Sequence, residues 1–395
     1  MEVTRAPGLE TLRPTRALID LDAIAHNVRE LRRHLRPGTA LMAVVKADGY
    51  GHGAVPVARE ALAAGAEWLG VATVEEGIQL RQAGLTAPVL VLGPVLPEQA
   101  GQVVDHDLRV AVYDPRLARA LDAVARGSGR PARVHVKVET GMGRIGVRPE
   151  DVEPFARLVA GLPGVEVEGV FTHFAAADDP DPAYTREQIA RFEDALAALG
   201  NAGVRPRLRH AANSAAILAH PRAHYDLVRA GIALYGLAPD AARSWPADLR
   251  PAMRLVSRIV HLKTMAPGEH VSYGATWTAR GGERVATVPV GYADGYRRLF
   301  SNRGAMLVAG QPCPVVGRVC MDQTMIRIPP GVPAEVGDEV VLMGPGLTAD
   351  DWAELLGTIN YEVVCLIGRR VPRVYLRGSE VVEVGPPSVA LPPAK

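Results

Sequence analysis

Short apolar runs alternate with segments of helical periodicity along the first two thirds of the chain. Apolar runs of this length, bounded by turn residues, are typical of buried parallel strands. The segments between them, such as 54–64, 74–83 and 186–199, repeat their apolar residues at helical spacing. The pattern therefore predicts an α/β fold, a (β/α)8 TIM-type barrel. Its strands are predicted at Leu41–Lys46, Trp68–Thr73, Pro88–Gly93, Arg109–Asp114, Arg133–Glu139, Val167–His173, Leu208–Asn213 and Asp226–Gly231.

A ninth apolar run, at residues 16–21, precedes the alternation. Asp22 is suited to cap the helix that follows it to about Leu35. Because a (β/α)8 barrel holds only eight strands, we expect this strand to lie outside the barrel and to pack with the C-terminal domain. The barrel domain itself is predicted to span residues 14–247.

The pattern changes after about Asp248, where helical periodicity nearly vanishes and short β-rich runs lie between Gly and Pro turns. We predict a mostly β C-terminal domain at residues 248–385, with one late helix at 349–357. The segment 239–251 marks the boundary. The predicted strands are Leu255–Leu262, Arg284–Val290, Ala305–Val308, Val315–Val319, Met325–Ile328 and Glu339–Met343.

Charge and composition argue against several classes of protein. The net charge is +1 and the pI is about 7.8, without a basic cluster interleaved with aromatic residues, so neither nucleic acid nor a membrane surface is expected as a partner. The sequence shows neither the apolar core of a signal peptide nor an uninterrupted apolar run of ~18 residues. Its 3 cysteines, an odd number in a long chain, fit a reducing compartment. We expect a cytoplasmic protein, and we predict no metal site.

Lys46 stands at the end of the first predicted barrel strand, in the segment Ala43–Gly53. Lysine is rare in this chain, since Lys and Arg total 44 and nearly all of them are arginine. An ammonium that is removed from water can lose its proton, which a guanidinium cannot do, and the free amine can form a Schiff base. The alternative is an ordinary lysine at a strand end that extends into solvent.

Further polar residues follow the later barrel strands, at the edge where such barrels carry their active sites. The fifth strand alternates strictly, which directs His135, Lys137 and Glu139 into the barrel. Each candidate also has an ordinary structural explanation, such as a core histidine, a helix cap or an ion pair. Together they favour a phosphorylated carbonyl cofactor, and pyridoxal phosphate is the obvious candidate. The residues within the last three strands, towards their C-terminal ends, or directly after them are His173, His210, Asn213, Ser214, Arg229, Gly231 and Ile232.

The segment Ala43–Gly53 resembles the cofactor-lysine signature of the alanine racemases, pyridoxal-phosphate enzymes of fold type III. The resemblance extends over roughly residues 14–380 and implies a (β/α)8 barrel followed by a β domain. The other similar segments occur in the same order along the chain. They are Lys137–Gly146, Thr172–Ala177, His210–Ala216, Asp226–Leu237, Val271–Ala275, Gly291–Tyr296, Gly317–Gln323 and Thr358–Val363.

The resemblance implies a set of residues that bind pyridoxal 5'-phosphate, and Lys46 would hold the cofactor as an aldimine. Arg229 would face the pyridine nitrogen, with His210 behind it, and would leave that nitrogen unprotonated. Lys137 matches a lysine that is carbamylated in many members. The full set of implied cofactor contacts is Lys46, Tyr50, Arg144, His173, Asn213, Ser214, Arg229, Gly231, Ile232 and Tyr361.

The resemblance also implies a two-base reaction that interconverts L-alanine and D-alanine and supplies D-alanine for peptidoglycan. Lys46 would serve the D-alanine face of Cα, and Tyr273 would serve the L-alanine face. Arg144 and Met321 would contact the substrate carboxylate, and Asp322 would lie near the entry path. In the family the β-domain residues contribute to the barrel site of the other subunit, which implies a homodimer.

Four alternative functions have to be weighed against the sequence. A basic-amino-acid decarboxylase has the same two-domain plan, but this chain lacks that family's Gly-rich phosphate loop and carries Arg229 where an acid would be expected. A racemase of broader specificity or a serine racemase is harder to exclude. A non-catalytic pyridoxal-phosphate carrier would leave the β domain unexplained. A transcriptional regulator would need a DNA-binding motif, and we find none.

Overall fold

The computed structural model describes residues 12–385. Its strands, in chain order, are β1 (Arg16–Asp20), β2 (Ala40–Val44), β3 (Trp68–Val71), β4 (Val89–Val91), β5 (Arg109–Val112), β6 (Ala132–Lys137), β7 (Val165–Phe171), β8 (Leu208–His210), β9 (Leu227–Ala230), β10 (Met253–Arg258), β11 (His261–Thr264), β12 (His270–Val271), β13 (Trp277–Thr278), β14 (Arg284–Val288), β15 (Ala305–Val308), β16 (Gln311–Pro314), β17 (Thr324–Ile328), β18 (Glu339–Met343), β19 (Arg373–Arg377) and β20 (Glu380–Val384). Its helices are α1 (Leu21–Arg33), α2 (Ala54–Ala63), α3 (Val74–Gln82), α4 (Ala100–Asp105), α5 (Pro115–Ser128), α6 (Val152–Ala160), α7 (Ala183–Asn201), α8 (Ser214–Ala219), α9 (Ala349–Leu356) and α10 (Asn360–Cys365).

The chain divides into two compact units. The barrel unit comprises residues 24–49 and 54–250. Within the described residues, the C-terminal unit comprises residues 251–385 together with residues 12–23 and the short segment 50–53. The division falls between Arg250 and Pro251, within the proline-rich segment that the sequence marks as a boundary.

The barrel unit is an eight-stranded parallel sheet in the order β8-β7-β6-β5-β4-β3-β2-β9. Backbone bonds from Asp226 N to Arg209 O and from Arg229 N to Ala212 O, both 3.0 Å, join the two ends of the sheet so that it nearly closes on itself. A helix follows each strand from β2 to β8 and covers the outer face of the sheet, while the closure of the barrel buries the inner face. Accordingly, Leu41 and Met42 on β2 are 0% exposed. The predicted (β/α)8 barrel is confirmed.

The C-terminal unit is built mostly from β-strands, as predicted. Its largest sheet has the order β16-β15-β18-β10-β1-β19-β20. The structure places β1, the ninth predicted strand, between β10, to which it is antiparallel, and β19, to which it is parallel. A three-stranded sheet (β11-β14-β17) and the pair β12-β13 complete the unit.

Several detailed expectations for these elements are wrong. The predicted strand Leu255–Leu262 is two strands, because the chain leaves the large sheet after β10 and joins the three-stranded sheet as β11. The predicted strand Val315–Val319 is displaced, since the chain pairs with β15 at β16, before it. Five further elements, β12, β13, β19, β20 and α10, were not predicted from the sequence.

The predicted cap of α1 is also wrong. The helix begins at Leu21, so the capping carboxylate belongs to Asp20, whose Oδ1 accepts a hydrogen bond from Ala23 N at 2.9 Å. Asp22 lies within the first helical turn, and its Oδ2 accepts from Gly378 N at 2.6 Å instead. The carboxylate therefore links the start of α1 to the end of β19 within the C-terminal unit.

Candidate active site

Lys46 lies just beyond β2, at the start of a turn with left-handed backbone geometry. The φ angles of Ala47, Asp48 and Gly49 are 53°, 51° and 61°. Tyr50 continues the run with φ 51°. Left-handed helical geometry costs roughly 1–2 kcal/mol for each L-residue and is seldom repeated in consecutive residues. Lys46 therefore stands at the entrance of a strained turn, not at the end of a regular strand as expected.

Two carboxylates hold this turn in place. Glu76, the third residue of α3, accepts from Ala47 N through Oε1 and from Ala72 N through Oε2, each at 2.7 Å. Asp48 accepts from Ala54 N at 2.9 Å and so closes the turn onto the start of α2. The bond to Ala47 N satisfies an N–H group of the left-handed turn, and the other two bonds attach its flanks to the starts of α2 and α3. They supply the stabilisation that a strained backbone requires from its surroundings.

Arg229, on β9, is held by four acceptors. Its NH2 group donates to Thr172 O at 2.8 Å, to Ala211 O at 2.7 Å and to His173 Nδ1 at 3.2 Å. Its NH1 group donates to His210 Nδ1 at 2.9 Å. A guanidinium has five N–H groups, so one NH1 hydrogen and the Nε hydrogen have no acceptor within residues 12–385. Burial, followed by the charge of Arg144, lowers the pKa of Arg229 to about 9, which leaves the group cationic at neutral pH.

His173 and His210 contact Arg229, and His135 lies behind His210; the three rings are uncharged, with His135 and His210 buried and His173 half-buried. His210 Nε2 lies 2.8 Å from His135 Nδ1, and the His210 ring stacks on Phe171 with 4.7 Å between centroids. Burial, followed by the charge of Arg229, lowers the pKa of His173 and of His210 well below its usual range. Burial also lowers the pKa of His135. The rings are therefore neutral at pH 7.

Lys137 ends β6 with its side chain inside the barrel, 3% exposed. Its Nζ lies 4.8 Å from the centroid of the Phe171 ring. Burial, followed by the charges of Arg229 and Arg144, lowers the pKa of Lys137 to about 7. Lys46 acts in the same direction, whereas Glu139 opposes the shift. A substantial fraction of this amine is thus unprotonated at neutral pH.

Arg144 lies on the loop that follows β6. The Glu139 carboxylate accepts from Gly141 N at 2.6 Å and from Arg144 N at 3.1 Å, so the loop backbone folds around an anion. Burial raises the pKa of Glu139, but these N–H groups outweigh it and lower the pKa below its ordinary value. Val147 N then donates to Lys137 O at 2.8 Å, which closes the loop. The loop holds the backbone of Arg144 while its side chain is exposed.

The predicted phosphate-binding residues of the barrel lie together. Ser214 Oγ accepts from Gly231 N at 2.9 Å and from Ala233 N at 3.3 Å, which joins the start of α8 to the segment after β9. Asn213 caps α8 by accepting from Ala216 N at 3.0 Å. Ile232 begins a 3-10 turn that continues to Tyr235. As an acceptor from both N–H groups, the Ser214 hydroxyl keeps its own proton for another acceptor.

The remaining predicted residues belong to the C-terminal unit. Tyr50 and Tyr361 are neighbours there, with 6.3 Å between ring centroids, and burial raises the pKa of Tyr50. Tyr273 lies on the 3-10 turn Tyr273–Ala275 and is 70% exposed. Met321 is 51% exposed, and Asp322 forms an ion pair with Arg370 at 2.6 Å.

Comparison with known proteins identifies the chain. The family described as "Alanine racemase, N-terminal domain" matches residues 19–239, and "Alanine racemase, C-terminal domain" matches residues 252–375. The chain belongs to the alanine racemase family. The alanine racemase of Symbiobacterium thermophilum is 54% identical over 371 residues, which cover 93% of this chain and 98% of that protein.

Solved alanine racemases have the same fold as this chain. The structure from Clostridium difficile 630 superposes with a TM-score of 0.93 at 41% identity, covering 96% of this chain and 100% of that one. The Bacillus anthracis enzyme with bound L-Ala-P gives a TM-score of 0.90 at 40% identity, covering 96% and 98%. The two-domain plan of the racemases, a barrel followed by a mostly β domain, is therefore the plan of this chain, which is an isomerase of that family.

Some residues that organise this racemase site were not predicted from the sequence. Glu76 had a detectable signal, because Thr73 and Glu76 form the spacing of a capping box, but that pattern says nothing about Ala47. Thr172 begins the similar segment Thr172–Ala177, but nothing in that segment indicates its contact with Thr140 in the loop after β6. Gln188 contacts the loops after both β6 and β7, and no local pattern distinguishes it. Within residues 12–385, no helix combines the length and apolar composition needed to cross a bilayer.

Proposed function

We propose that this protein interconverts L-alanine and D-alanine with pyridoxal 5'-phosphate as its cofactor and supplies D-alanine for peptidoglycan. The observation that carries the proposal is the group of cations at the end of the barrel. Lys46, Arg144 and Arg229 all lower the pKa of Lys137, so all three lie within electrostatic range of its amine. The phosphate of the cofactor and the carboxylate of an amino acid are the anions that such a site would bind.

The donors on the barrel side fit the cofactor. Lys46 would hold it through its side-chain amine, and the region of Ser214, Gly231 and Ile232 would bind the phosphate, where the Ser214 hydroxyl proton is available. We include Asn213, Tyr50 and Tyr361 in this role because the corresponding motifs resemble those of the family. The bound cofactor would supply an electron-withdrawing ring that weakens the Cα–H bond of the substrate.

Arg229 would limit the strength of that electron withdrawal. Its position is fixed by His210, Thr172 and Ala211, and its remaining N–H groups can donate to a ring nitrogen. The Arg229 guanidinium keeps its proton at neutral pH, so the ring nitrogen would stay unprotonated. The substrate carbanion would then be less stabilised, which disfavours side reactions such as loss of CO2.

Inversion at Cα requires a proton-transfer group on each face. We assign the D-alanine face to Lys46 and the L-alanine face to Tyr273, with Arg144 and Met321 at the substrate carboxylate and Asp322 near the entry path. Tyr273 and Met321 are 70% and 51% exposed in the single chain, as expected for residues that complete the site of a second copy. The enzyme would therefore be a homodimer with shared sites.

Lys137 would carry a carbamate. Its amine is buried and has a pKa of about 7, so the neutral form can attack CO2, forming the N–C bond and releasing one proton. The product is an anion placed among Lys46, Arg144 and Arg229. The test is 13C NMR of the enzyme in 13C-bicarbonate: a protein-bound carbamate is expected in the wild type and absent in Lys137→Arg. Equal signals from the two proteins would refute the assignment.

The function is tested by incubating the enzyme with L-alanine, D-alanine, L-serine, L-lysine and L-arginine in D2O. Fast inversion and α-deuteration of alanine alone is the expected result. Comparable rates on serine or the basic amino acids would replace the proposal with a broad racemase, and release of CO2 would replace it with a decarboxylase. Lys46→Met is expected to abolish the activity, whereas Lys263→Met, at an exposed position on β11, should not.

Site sharing is tested by co-expressing Lys46→Met with Tyr273→Phe chains. If each site takes its lysine from one chain and its tyrosine from the other, each mixed dimer regains one intact site. Activity well above that of either variant alone is expected. Failure of the mixture to recover activity, despite mixed dimers in native mass spectra, would contradict the shared site.

The three cysteines of this chain, Cys313, Cys320 and Cys365, are free thiols. They support a cytoplasmic location, where thiols stay reduced. Cell fractionation would test this part of the proposal, and recovery outside the cytoplasm would contradict it.

A further inference from the structure

Helix α7 contacts the loops after β6 and β7 through one of its faces. Tyr184, Thr185, Gln188 and Arg191 are spaced so that they share that face. Tyr184 OH donates to Gly141 O at 2.7 Å and Arg191 NH1 donates to Thr140 O at 3.0 Å. Thr185 Oγ1 donates to Ala176 O at 3.0 Å. One helix thus binds the main chain of two separate loops.

Gln188 is the member of this face that bonds to both loops. Its side chain is 0% exposed. Its Nε2 donates to Thr140 Oγ1 at 3.3 Å in the first loop and to His173 O at 3.2 Å in the second. Its Oε1 accepts from Ala175 N at 2.9 Å, also in the second loop. Both N–H groups and the carbonyl of the amide are therefore used.

The two loops contact two members of the group of cations at the end of the barrel: the first carries Arg144, and the second binds Arg229. Thr140 lies between Glu139 and Gly141 in the loop that presents Arg144. Thr140 Oγ1 is also 2.7 Å from Thr172 Oγ1, and Thr172 O is one of the four acceptors of Arg229. The bonds of Gln188 thus connect the Arg144 loop to the segment that holds His173 and Arg229.

The approach of α7 to the first loop leaves no spare room. Gly141 has φ +136°, and a Cβ placed there would lie 2.5 Å from Tyr184 OH. The loop therefore cannot slide along the helix without breaking the bonds of Tyr184 and Gln188. Close backbone approach of this kind is a recurrent use of glycine.

We propose that Gln188 is a positioning residue that fixes the Arg144 loop relative to the His173 segment. It touches neither substrate nor cofactor, and it acts through Thr140, His173 O and Ala175 N. The inference rests on the proposed function in one respect, because it takes Arg144 to contact the substrate and His173 the cofactor. The three hydrogen bonds of Gln188, which form a brace between the two loops, do not depend on those roles.

The main test combines hydrogen exchange with kinetics on the holoenzyme of Gln188→Met. This change keeps the volume of the side chain and removes all three bonds. Amide exchange in peptides covering 139–147 and 172–177 is expected to accelerate on the order of 10-fold in each. The KM for L-alanine and the dissociation constant of pyridoxal phosphate are expected to rise by a similar factor, with a smaller change in kcat.

Phe192→Leu is the matched control. Phe192 is equally buried on the same helix, but its ring packs on Tyr225, with 5.4 Å between centroids. This variant should lower the melting temperature without accelerating exchange in the two loops or changing either constant. A purely structural role of Gln188 would make the two variants behave alike, which would overturn the inference.

Gln188→Glu provides a second test that keeps the shape of the side chain. Its carboxylate can still accept from Ala175 N, and the Thr140 hydroxyl can turn and donate to it. His173 O cannot donate, so two oxygens would face each other there. Exchange is therefore expected to accelerate more in 172–177 than in 139–147, and the opposite order would count against the brace.

The outcomes separate this inference from the proposed function. Unchanged exchange in both loops of Gln188→Met would overturn the brace whatever the enzyme's activity. Faster exchange with unchanged constants would overturn the positioning role and place the error in the roles given to Arg144 and His173. A wild-type enzyme that neither binds pyridoxal phosphate nor racemises alanine would refute the proposed function, while the exchange data would still decide the brace.

Discussion

Arg229 and His210 are joined by a hydrogen bond of 2.9 Å between NH1 and Nδ1. A guanidinium can only donate, so His210 accepts at Nδ1 and, being neutral, carries its proton on Nε2. That proton is directed to His135 Nδ1 at 2.8 Å, which in turn places the proton of His135 on Nε2. Glu168 Oε2 lies 3.6 Å from that nitrogen. The cation of Arg229 thus fixes the tautomers of two successive histidines.

Because these histidines are neutral, we expect the enzyme to lose stability as the pH falls below about 6.5, the usual pKa of histidine in an unfolded chain. His135, His173 and His210 have lowered pKa values in the folded state, so the unfolded chain binds protons that the folded chain does not. The free energy of unfolding should then decrease by up to about 1.4 kcal/mol per pH unit for each histidine.

Urea unfolding between pH 8 and pH 5 at saturating cofactor would measure this slope. His210→Gln should reduce it by up to one proton equivalent, whereas His261→Gln, at an exposed position on β11, should leave it unchanged. A free energy of unfolding that is flat from pH 7 to pH 5 would contradict the neutral state of the three histidines.

Replacing Tyr273 by phenylalanine should affect the two faces of the substrate unequally. We expect racemisation to fall by about 10²–10⁴-fold, the usual contribution of a general acid–base group. Wash-out of the α-proton of D-alanine, which needs only Lys46, should fall far less. Deuterium incorporation into each enantiomer measures the two separately. Tyr225→Phe is the control, because Tyr225 precedes the N-terminal end of β9, away from the end that carries Arg229. An equal loss on both faces in Tyr273→Phe would argue against a two-base reaction.

Glu76 is expected to matter for catalysis although it lies on the barrel helix α3. In Glu76→Gln an NH2 group replaces one carboxylate oxygen, so either Ala47 N or Ala72 N loses its acceptor. We expect a loss of about 1–3 kcal/mol in unfolding free energy and a fall of roughly 10–100-fold in kcat, because the turn that positions Lys46 relaxes. Glu75→Gln is the control, since Glu75 is exposed on the same helix. A loss of stability with normal kcat would mean that the turn persists without this carboxylate.

Replacement of Tyr296 by phenylalanine is expected not to destabilise the protein. Its ring is 0% exposed against Phe300 and Trp352, and its hydroxyl has no hydrogen-bond partner in the described part of the chain. Tyr296→Phe should leave the free energy of unfolding unchanged or raise it by up to about 1 kcal/mol. In contrast, Tyr235→Phe should lower it by about 1 kcal/mol, because that hydroxyl donates to Val44 O at 2.9 Å. Equal losses in urea unfolding of the two variants would show that Tyr296 has a partner.

The barrel was predictable because each of its strands is buried on both faces, which makes it a short continuous apolar run. The β domain was harder to predict. The strand β16 contains Pro312 and Pro314, which argue against a strand in the middle of a sheet but are tolerated at its edge. Ala309 and Gly310, with φ 48° and 74°, form the tight turn that returns the chain from β15 to β16.

The chemistry of the site was predictable only where a residue stands in a local motif. Lys46 and Arg229 are adjacent to strand ends, so their position follows from the order of the barrel strands. Gln188 and Glu76 act on residues distant in sequence, and the bond from Gln188 to Thr140 spans helix α6 and strand β7. The left-handed turn after Lys46 was not predictable either, since alanine has no preference for that geometry and aspartate adopts it only as a single residue.

Residues 50–53 belong to the C-terminal unit although they lie within the barrel sequence, so the two domains cannot be exchanged as simple consecutive segments. The chain passes between its two units at residues 23/24, 49/50, 53/54 and 250/251. A chimaera cut once near residue 250 would join a foreign β domain to four residues fitted to the original one, where Gly51 leaves space for Val364 O and Gly53 for Tyr375 OH. Exchange of the C-terminal domain between racemases should therefore succeed only when residues 50–53 and 12–23 are exchanged with it.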